Sequence, residues 1–220
     1  MHLTHPRHAA LLAIVQPRLA EETDLAHDLD HVLRVYRWAV RLARESGVDT
    51  DLAGAAALVH DLVNVPKESA QRAMGSALSA AAGAEVLPEV GYTPDEVGQI
   101  VSAVATCSWS RGLPPSSPLG AVLQDADRLD AIGAVGIARN FACAQAMASR
   151  GTSGRFYAPE DPLGQTERPL DDKRNAADHY PIKLLRLAQT MNTPAARAEA
   201  AHRHAFMLAF LEQLGRETTR

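Results

Sequence analysis

The stretch LAGAAALVHDL, residues 52–62, consists of alanine, leucine, valine and glycine until a histidine and an aspartate appear near its end. A helix that is apolar on nearly every side has no face for solvent, so this segment predicts a helix buried at the centre of the fold. Thr50 or Asp51 is suited to cap its start, and Pro66 stops it because proline cannot continue a helix. The polar pair therefore leaves the core where the helix ends.

Helical patterns continue on both sides of this segment, and runs of β-branched residues are scarce. In residues 28–46 the apolar side chains recur at the spacing of one helical face, and Gly47 follows as a C-terminal glycine. Thr93, followed by Pro94 and two acids, is a strong helix start. We therefore predict an all-α fold. The further helices are expected at residues 50–62, 68–82, 86–91, 94–105, 119–145, 181–191 and 194–215.

Residues 150–178 interrupt the helical pattern, because glycine, proline and charged residues are frequent there and no apolar period is present. A loop this long is often functional, so we interpret it as a candidate lid. The closing helices within residues 179–215 are too few to form a core alone. We therefore predict one domain over residues 1–220, with its core motifs in about residues 25–145.

The composition narrows the class of protein. The chain has 220 residues, 46% of them hydrophobic, with a net charge of -4 and a pI of about 6.1. Nucleic acids and acidic membranes favour a basic surface, so we expect neither as a partner. Cys107 and Cys143 form no disulfide framework and no zinc-type spacing. Met1–Ala13 lacks the apolar core of a signal peptide, and no window is long and apolar enough to span a membrane, so we expect a cytoplasmic protein.

Histidines and aspartates cluster at three places in these helices. His27 and His31 lie four residues apart and so on one helical face. The pair His60-Asp61 follows the buried segment, and three aspartates occur in QDADRLD, residues 124–130. Each feature alone is as well explained by helix capping or by solvated ion pairs. Together they offer the imidazole and carboxylate ligands of a site for Mn, Fe, Ni, Zn or, less well, Mg.

Five motifs carry a resemblance to the HD-domain phosphohydrolase superfamily. HDLDHVLRV (27–35), AAALVHDLVNVPKES (55–69) and LQDADRLDAIGAVGIARNF (123–141) resemble its order of a separated His, a His-Asp pair and a distant Asp. RAMGSALSAA (72–81) and NAADHYPIKLLRLAQTMNT (175–193) are similar to a compact bacterial single-domain branch. The resemblance covers most of the chain and implies a helical HD-domain bundle.

The resemblance also implies a site with one divalent metal ion. Asp61 and Asp127 would be catalytic, because they would orient a water molecule activated by the metal and one would accept its proton. The implied metal ligands are His31, His60, Asp61 and Asp127.

Neighbouring aspartates, a histidine and a cysteine also bear on which residues bind the metal and on how many ions are bound. By spacing alone, Asp125 and Asp130 compete with Asp127 for the role of ligand. His27 and Asp130 are expected to hydrogen-bond to the ligands, and His27 is also a candidate substrate contact. Cys107 stands where the branch usually has a histidine, and this missing histidine favours one metal ion over two. A thiol that packs as a small apolar group explains Cys107 better than a ligand to a softer metal does.

The activity that the resemblance implies is hydrolysis of a phosphate ester or anhydride, with a nucleotide as the expected substrate. Phosphate charge requires cations nearby, and four are candidates: Arg34, Lys67, Arg128 and Lys183. Each is otherwise an ordinary surface cation. Lys67 and Lys183 are preferred because they stand where the resemblance is densest.

Two alternative functions stay open. A di-iron oxygenase, which also occurs in the superfamily, needs more histidine ligands than this chain offers near His60-Asp61. A non-catalytic nucleotide-binding HD domain would not need the intact ligand set. A homodimer is a further expectation, because apolar residues of the last helix suit either a core or a subunit interface: Phe206, Leu208, Phe210, Leu211 and Leu214.

Overall fold

The computed structural model describes residues 3–19, 28–63, 65, 69, 74–149, 151 and 154–218. Regular structure in these residues is helical, with two isolated β-bridges and no strand, so the predicted all-α class is confirmed. None of the helices in these ranges combines the length and apolarity needed to cross a membrane. The α-helices are α1 (Pro6–Leu19), α2 (Leu29–Ser46), α3 (Thr50–Val59), α4 (Gly75–Val86), α5 (Pro94–Ala105), α6 (Pro118–Asp130), α7 (Gly133–Ser149), α8 (Leu185–Leu187) and α9 (Pro194–Thr218). Short 3-10 or π turns lie at Pro88–Val90, Trp109–Arg111, Ala176–Asp178, Tyr180–Leu184 and Ala188–Thr190.

The chain divides into two compact units. The first is Met1–Thr23 together with His27–Arg128, and the second is Asp24–Ala26 together with Leu129–Arg220. The interpretation of residues 1–220 as one domain stays a prediction.

Helix α3 lies at the centre of the first unit, where its apolar sequence places it. It packs against α1, α2, α4 and α5, and every residue from Asp51 to Val59 is buried. At Gly54 a Cβ atom would lie 2.3 Å from His8 Cε1 and 2.9 Å from Tyr36 Cε2. Glycine therefore allows α1 and α2 to approach α3 this closely.

The sequence patterns do not predict helix α1, which polar contacts hold in place. His8 Nδ1 lies 2.8 Å from Tyr36 Oη, and His8 Nε2 lies 2.9 Å from the backbone carbonyl oxygen of Asp51. Arg7 forms ion pairs with Asp51 and Glu96. Hydrogen bonding to Arg7 lowers the pKa of Glu96 to about 2. The buried residues of α1 recur at helical spacing: His8, Leu11, Val15 and Leu19.

Several helix boundaries differ from the prediction, whereas α5 begins and ends as predicted. α4 continues past the predicted end at residue 82 to Val86, and α9 continues past residue 215 to Thr218. α3 ends at Val59, with His60 as its C-cap. The single helix predicted for residues 119–145 is wrong: α6 and α7 are separate helices, and Gly133 has a φ of +78°. A left-handed residue cannot continue a right-handed helix. The helix predicted for residues 181–191 is instead a succession of π, α and 3-10 turns.

In the second unit, α7 packs against α9, and the stretch 154–178 is tied together at the buried carboxylate of Asp178. That carboxylate accepts hydrogen bonds from Arg168 Nη1 at 2.8 Å, from the backbone N–H of Asp171 at 2.8 Å and from Asn175 Nδ2 at 3.1 Å. Burial raises the pKa of Asp178, but these donors outweigh it, so the pKa lies below its usual value. The interpretation of this stretch as a lid stays a prediction.

Candidate metal centre

Three helix ends in the first unit bring four predicted side chains together. His31 lies in the first turn of α2, His60 is the C-cap of α3 with Asp61 directly after it, and Asp127 lies in the last turn of α6. Asp28 caps α2 and accepts a hydrogen bond from the backbone N–H of His31 at 2.9 Å. Because each side chain stands at or near a helix terminus, polar groups meet at one point without interrupting the buried helix.

The ligand atoms of these side chains converge. His31 Nε2 lies 3.3 Å from His60 Nε2. It also lies 3.7 Å from Asp61 Oδ2 and 3.8 Å from Asp127 Oδ1. Ligand atoms of His31, His60 and Asp127 all lie within 4.8 Å of one another. Both imidazoles are buried, whereas the side chains of Asp61 and Asp127 are 26% and 29% exposed, so solvent reaches the cluster through its carboxylates.

This donor set fits a divalent cation. The Nδ1–H of His60 donates to the carbonyl oxygen of Ala57 at 2.7 Å, which leaves the lone pair of its other ring nitrogen, Nε2, to face the cluster. Ligand atoms bound at about 2.1 Å from an ion lie roughly 3.0–3.4 Å apart, close to the separations measured from His31 Nε2. Two imidazoles and two carboxylates make a mixed set that suits Mn, Fe, Ni or Zn.

The three aspartates at the end of α6 have different surroundings. Asp127 lies in the cluster with the two histidines. Asp125 is fully buried. Asp130 accepts a hydrogen bond from Arg139 Nη1 at 2.8 Å within the second unit. Of the three carboxylates, that of Asp127 is therefore the one placed to bind the same ion as the histidines.

The thiol of Cys107 lies near this cluster without joining the group of ligand atoms within 4.8 Å. Burial raises the pKa of Cys107 well above its usual value, and the carboxylates of Asp127 and Asp61 raise it further. The sulfur is therefore a neutral thiol at physiological pH. This placement supports the interpretation of Cys107 as a small apolar group.

Arg128 follows Asp127 and is the predicted phosphate-binding cation that lies nearest in sequence to a cluster residue. It is 8% exposed, and its guanidinium carbon lies 5.5 Å from the centre of a Trp109 ring. Burial lowers the pKa of Arg128, although Asp125 and Asp127 act in the opposite direction. Burying a cation is costly unless it is paired, so the nearby carboxylates and fixed hydrogen-bond partners offset the cost of keeping Arg128 charged.

The remaining predicted site residues are spread along the chain. Arg34 is half-buried, one turn after His31 on α2. Lys183 lies in the second unit, in the π turn Tyr180–Leu184. His27 and Lys67 lie outside the described residues.

Sequence reasoning missed Gln124, whose side chain is buried one turn before Arg128. Its Oε1 accepts a hydrogen bond from Arg128 Nη2 at 2.7 Å. Its Nε2 donates to the carbonyl oxygens of Thr106 and Leu113 at 2.8 and 3.2 Å. The spacing of four residues in QDADR is the available signal, because side chains at i and i+4 of a helix are neighbours.

Comparison with known proteins identifies the family to which this chain belongs. A family model for the HD domain matches residues 28–132, which run from the cap of α2 past the end of α6. The uncharacterised protein YpgQ of Bacillus subtilis (strain 168) is 36% identical over 207 residues, which span 92% of this chain and 89% of YpgQ.

Solved structures share the fold. The crystal structure of Bacillus subtilis YpgQ in complex with ADP has a TM-score of 0.73 and 32% sequence identity to this chain. The match covers 97% of this chain and 95% of the YpgQ chain. An HD-superfamily hydrolase from Bacillus thuringiensis has a TM-score of 0.70 and 27% sequence identity to this chain. The match covers 97% of this chain and 98% of the Bacillus thuringiensis chain. Because the family model spans all four clustered side chains and a relative matches nearly the whole length, this chain belongs to the HD-domain superfamily.

Proposed function

We propose that this chain is a divalent-metal-dependent phosphohydrolase that cleaves a phosphate ester or anhydride bond of a nucleotide through a metal-activated water. The observation that carries the proposal is the convergence of two buried imidazole nitrogens with two partly exposed carboxylates at the ends of α2, α3 and α6. Two relatives support it: YpgQ was crystallised with ADP, and the Bacillus thuringiensis protein is an HD-superfamily hydrolase.

The two kinds of ligand have different duties in this proposal. A divalent ion, when bound, lowers the pKa of a water molecule and polarises a phosphoryl oxygen. His31 and His60 are buried and serve as fixed ligands. Asp61 and Asp127 are ligands that solvent also reaches, so one of them can orient the attacking water and accept its proton.

The negative charge of the phosphate groups requires cations. Arg128 has the strongest case because it directly follows Asp127 and contacts both Gln124 and Trp109. A guanidinium in a fixed orientation binds phosphate oxygens through paired hydrogen bonds. We propose Arg34, Lys67 and Lys183 as further phosphate contacts. His27 and Asp130 complete the proposed set as residues that support the ligands.

A nucleotide panel assayed with Mn²⁺ tests the proposal. We expect the wild-type protein to release phosphate or pyrophosphate, and we expect His60→Ala and Asp61→Ala each to abolish the release because each removes a ligand. The matched controls are His202→Ala and Asp95→Asn, which change exposed residues and should keep wild-type turnover. Unchanged turnover in either ligand variant would contradict the site.

Metal analysis separates the alternatives. About one ion per chain, together with turnover, supports the proposed hydrolase. Two irons per chain would favour an oxygenase. Binding of nucleotide without cleavage, with Mn, Fe, Ni, Zn or Mg present, would favour a non-catalytic binding domain.

A further inference from the structure

The side chain of Gln124 connects the last turn of α6 with the loop formed by residues 106–113. It is 1% exposed and uses both ends of its amide. The oxygen accepts from Arg128 Nη2, and the nitrogen donates to the carbonyl oxygens of Thr106 and Leu113. One buried side chain thus holds an arginine on its own helix and both ends of the loop 106–113.

The polarity of these partners fixes the orientation of the amide. Backbone carbonyl oxygens accept hydrogen bonds and a guanidinium donates them, so exchanging the amide oxygen and nitrogen would break all three bonds. Glutamate could accept from Arg128 but could not donate to Thr106 or Leu113. A neutral side chain of this length that both donates twice and accepts is glutamine, which explains the residue type at position 124.

The loop 106–113 carries the aromatic partner of Arg128. Trp109 lies in its 3-10 turn, and the Arg128 guanidinium carbon lies 5.5 Å from the centre of the Trp109 ring, within the range of a cation–π contact. Arg111 Nη1 donates to the carbonyl oxygen of Ala105 at 2.8 Å, which closes the loop further. Gln124 therefore fixes both members of the Trp109–Arg128 pair.

Arg128 also stands next to the candidate metal centre in the chain, because it directly follows Asp127 in the last turn of α6. The Cys107 thiol, which belongs to this loop, responds to the negative charges of Asp61 and Asp127 and to the positive charge of Arg128. Consecutive Cα atoms lie about 3.8 Å apart, so the backbone of Arg128 is fixed beside a residue of the ligand cluster. Arg128 is thus near enough to the cluster to meet a phosphate bound there.

We propose that Gln124 is a positioning residue that holds Arg128 against Trp109, so that the guanidinium binds a phosphate of the substrate. This inference rests on the proposed function and deepens it. In this scheme Gln124 acts through Arg128, whereas the metal ligands and the attacking water carry out the chemical step. Its loss should therefore weaken substrate binding and leave the chemical step and the metal affinity unchanged.

The test compares Gln124→Met, which has a similar volume but lacks all three hydrogen bonds, with the wild-type protein. We expect KM to rise roughly tenfold, the scale of one hydrogen bond to a charged group, with kcat and the Mn²⁺ affinity unchanged. Gln99→Met, an exposed glutamine on α5, is the matched control and should keep the wild-type KM. Melting curves of both variants report any loss of folded protein.

A double-mutant cycle distinguishes positioning from general destabilisation. In an Arg128→Met background, Gln124→Met should have no further effect on KM, because the group it positions is gone. Trp109→Leu changes a half-buried residue and leaves the amide in place; it should raise KM in the wild-type background and not in Arg128→Met. If Gln124→Met does not fold, Trp109→Leu takes its place in the double-mutant cycle.

Several results would overturn the inference while the proposed function stands: an unchanged KM, a fall in kcat or Mn²⁺ affinity, or an effect that persists without Arg128. If the wild-type protein cleaves no nucleotide, the proposed hydrolase fails, and the cycle is then measured as Kd for ADP by calorimetry. A wild-type protein that neither cleaves nucleotides nor binds ADP would overturn both.

Discussion

Replacing Gly54 by alanine should destabilise the first unit, although alanine is the better helix former. The helix propensity alone would favour alanine by about 1 kcal/mol. The added Cβ, however, would lie 2.3 Å from His8 Cε1, 2.8 Å from His8 Nε2 and 2.9 Å from Tyr36 Cε2. Overpacking of a core costs about 1–3 kcal/mol. Displacing His8 also breaks its bonds to Tyr36 and to the Asp51 carbonyl oxygen, at about 1 kcal/mol each. Together these terms give a net loss of about 2–4 kcal/mol in the free energy of unfolding.

Gly98→Ala is the matched control, because this glycine is also inside a helix but a Cβ there would meet nothing within 4 Å. Alanine at this position should stabilise the protein by roughly 0.5–1 kcal/mol. Urea denaturation followed by circular dichroism at 222 nm measures both variants. His8→Ala should relieve the clash, so the loss from Gly54→Ala should shrink in that background. A Gly54→Ala protein at least as stable as the wild type would refute the packing of α1 against α3.

Three further predictions concern pH, metal and the second unit. Burial lowers the pKa of His8 in the folded state below its usual 6.5, so the unfolded chain takes up a proton on this imidazole before the folded protein does. The free energy of unfolding therefore falls as the pH drops from 6.5 towards the folded-state pKa. In denaturation curves below pH 6.5, His8→Gln should lose less stability than the wild type. Mn²⁺ at about 100 times its Kd should raise the free energy of unfolding by about 2.7 kcal/mol in the wild type and not in His60→Ala, as thermal melts would show. Asp178→Asn removes the buried charge partner of Arg168 and should destabilise the second unit by about 3 kcal/mol; cleavage of the stretch 154–178 during limited proteolysis should then be faster than in the wild type, and equal rates would contradict this account.

The contrast between α5 and α1 shows which helices of this fold can be predicted from the sequence. α5 is determined locally: Thr93 and Glu96 form a capping box, so its start can be predicted from four residues. α1 is determined by distant partners, since Arg7 pairs with Asp51 and Glu96, which lie far along the chain. Its buried face also contains a histidine, which a hydrophobic pattern counts as polar. Local sequence signals therefore predict a helix such as α5 and miss a helix such as α1.

The candidate metal centre likewise combines features that local sequence patterns predict with features that depend on distant partners. His31, His60 and Asp61 stand at the ends of helices whose apolar patterns are visible in the sequence, so their meeting could be anticipated. The choice among Asp125, Asp127 and Asp130 could not, because spacing in α6 leaves all three possible. Tertiary surroundings separate them: Asp130 is paired with Arg139, and Asp127 meets the histidines. The long helix predicted across Gly133 fails for a related reason, since periodicity continues where the backbone turns.

The position of the candidate metal centre follows from where the polar side chains of α3 lie. Its polar side chains stand at its ends: Asp51 accepts a hydrogen bond from Tyr92 Oη at 2.8 Å and pairs with Arg7, whereas His60 belongs to the ligand cluster. Nine residues of helix separate the two ends by about 13 Å. The Asp51 contacts therefore hold the opposite end of the same helix in place. A close-packed helix with no solvent face cannot slide or rotate without disturbing every neighbour. The imidazole of His60 is consequently held in register with His31 by the apolar core itself, and that core is what pre-organises the ligand geometry.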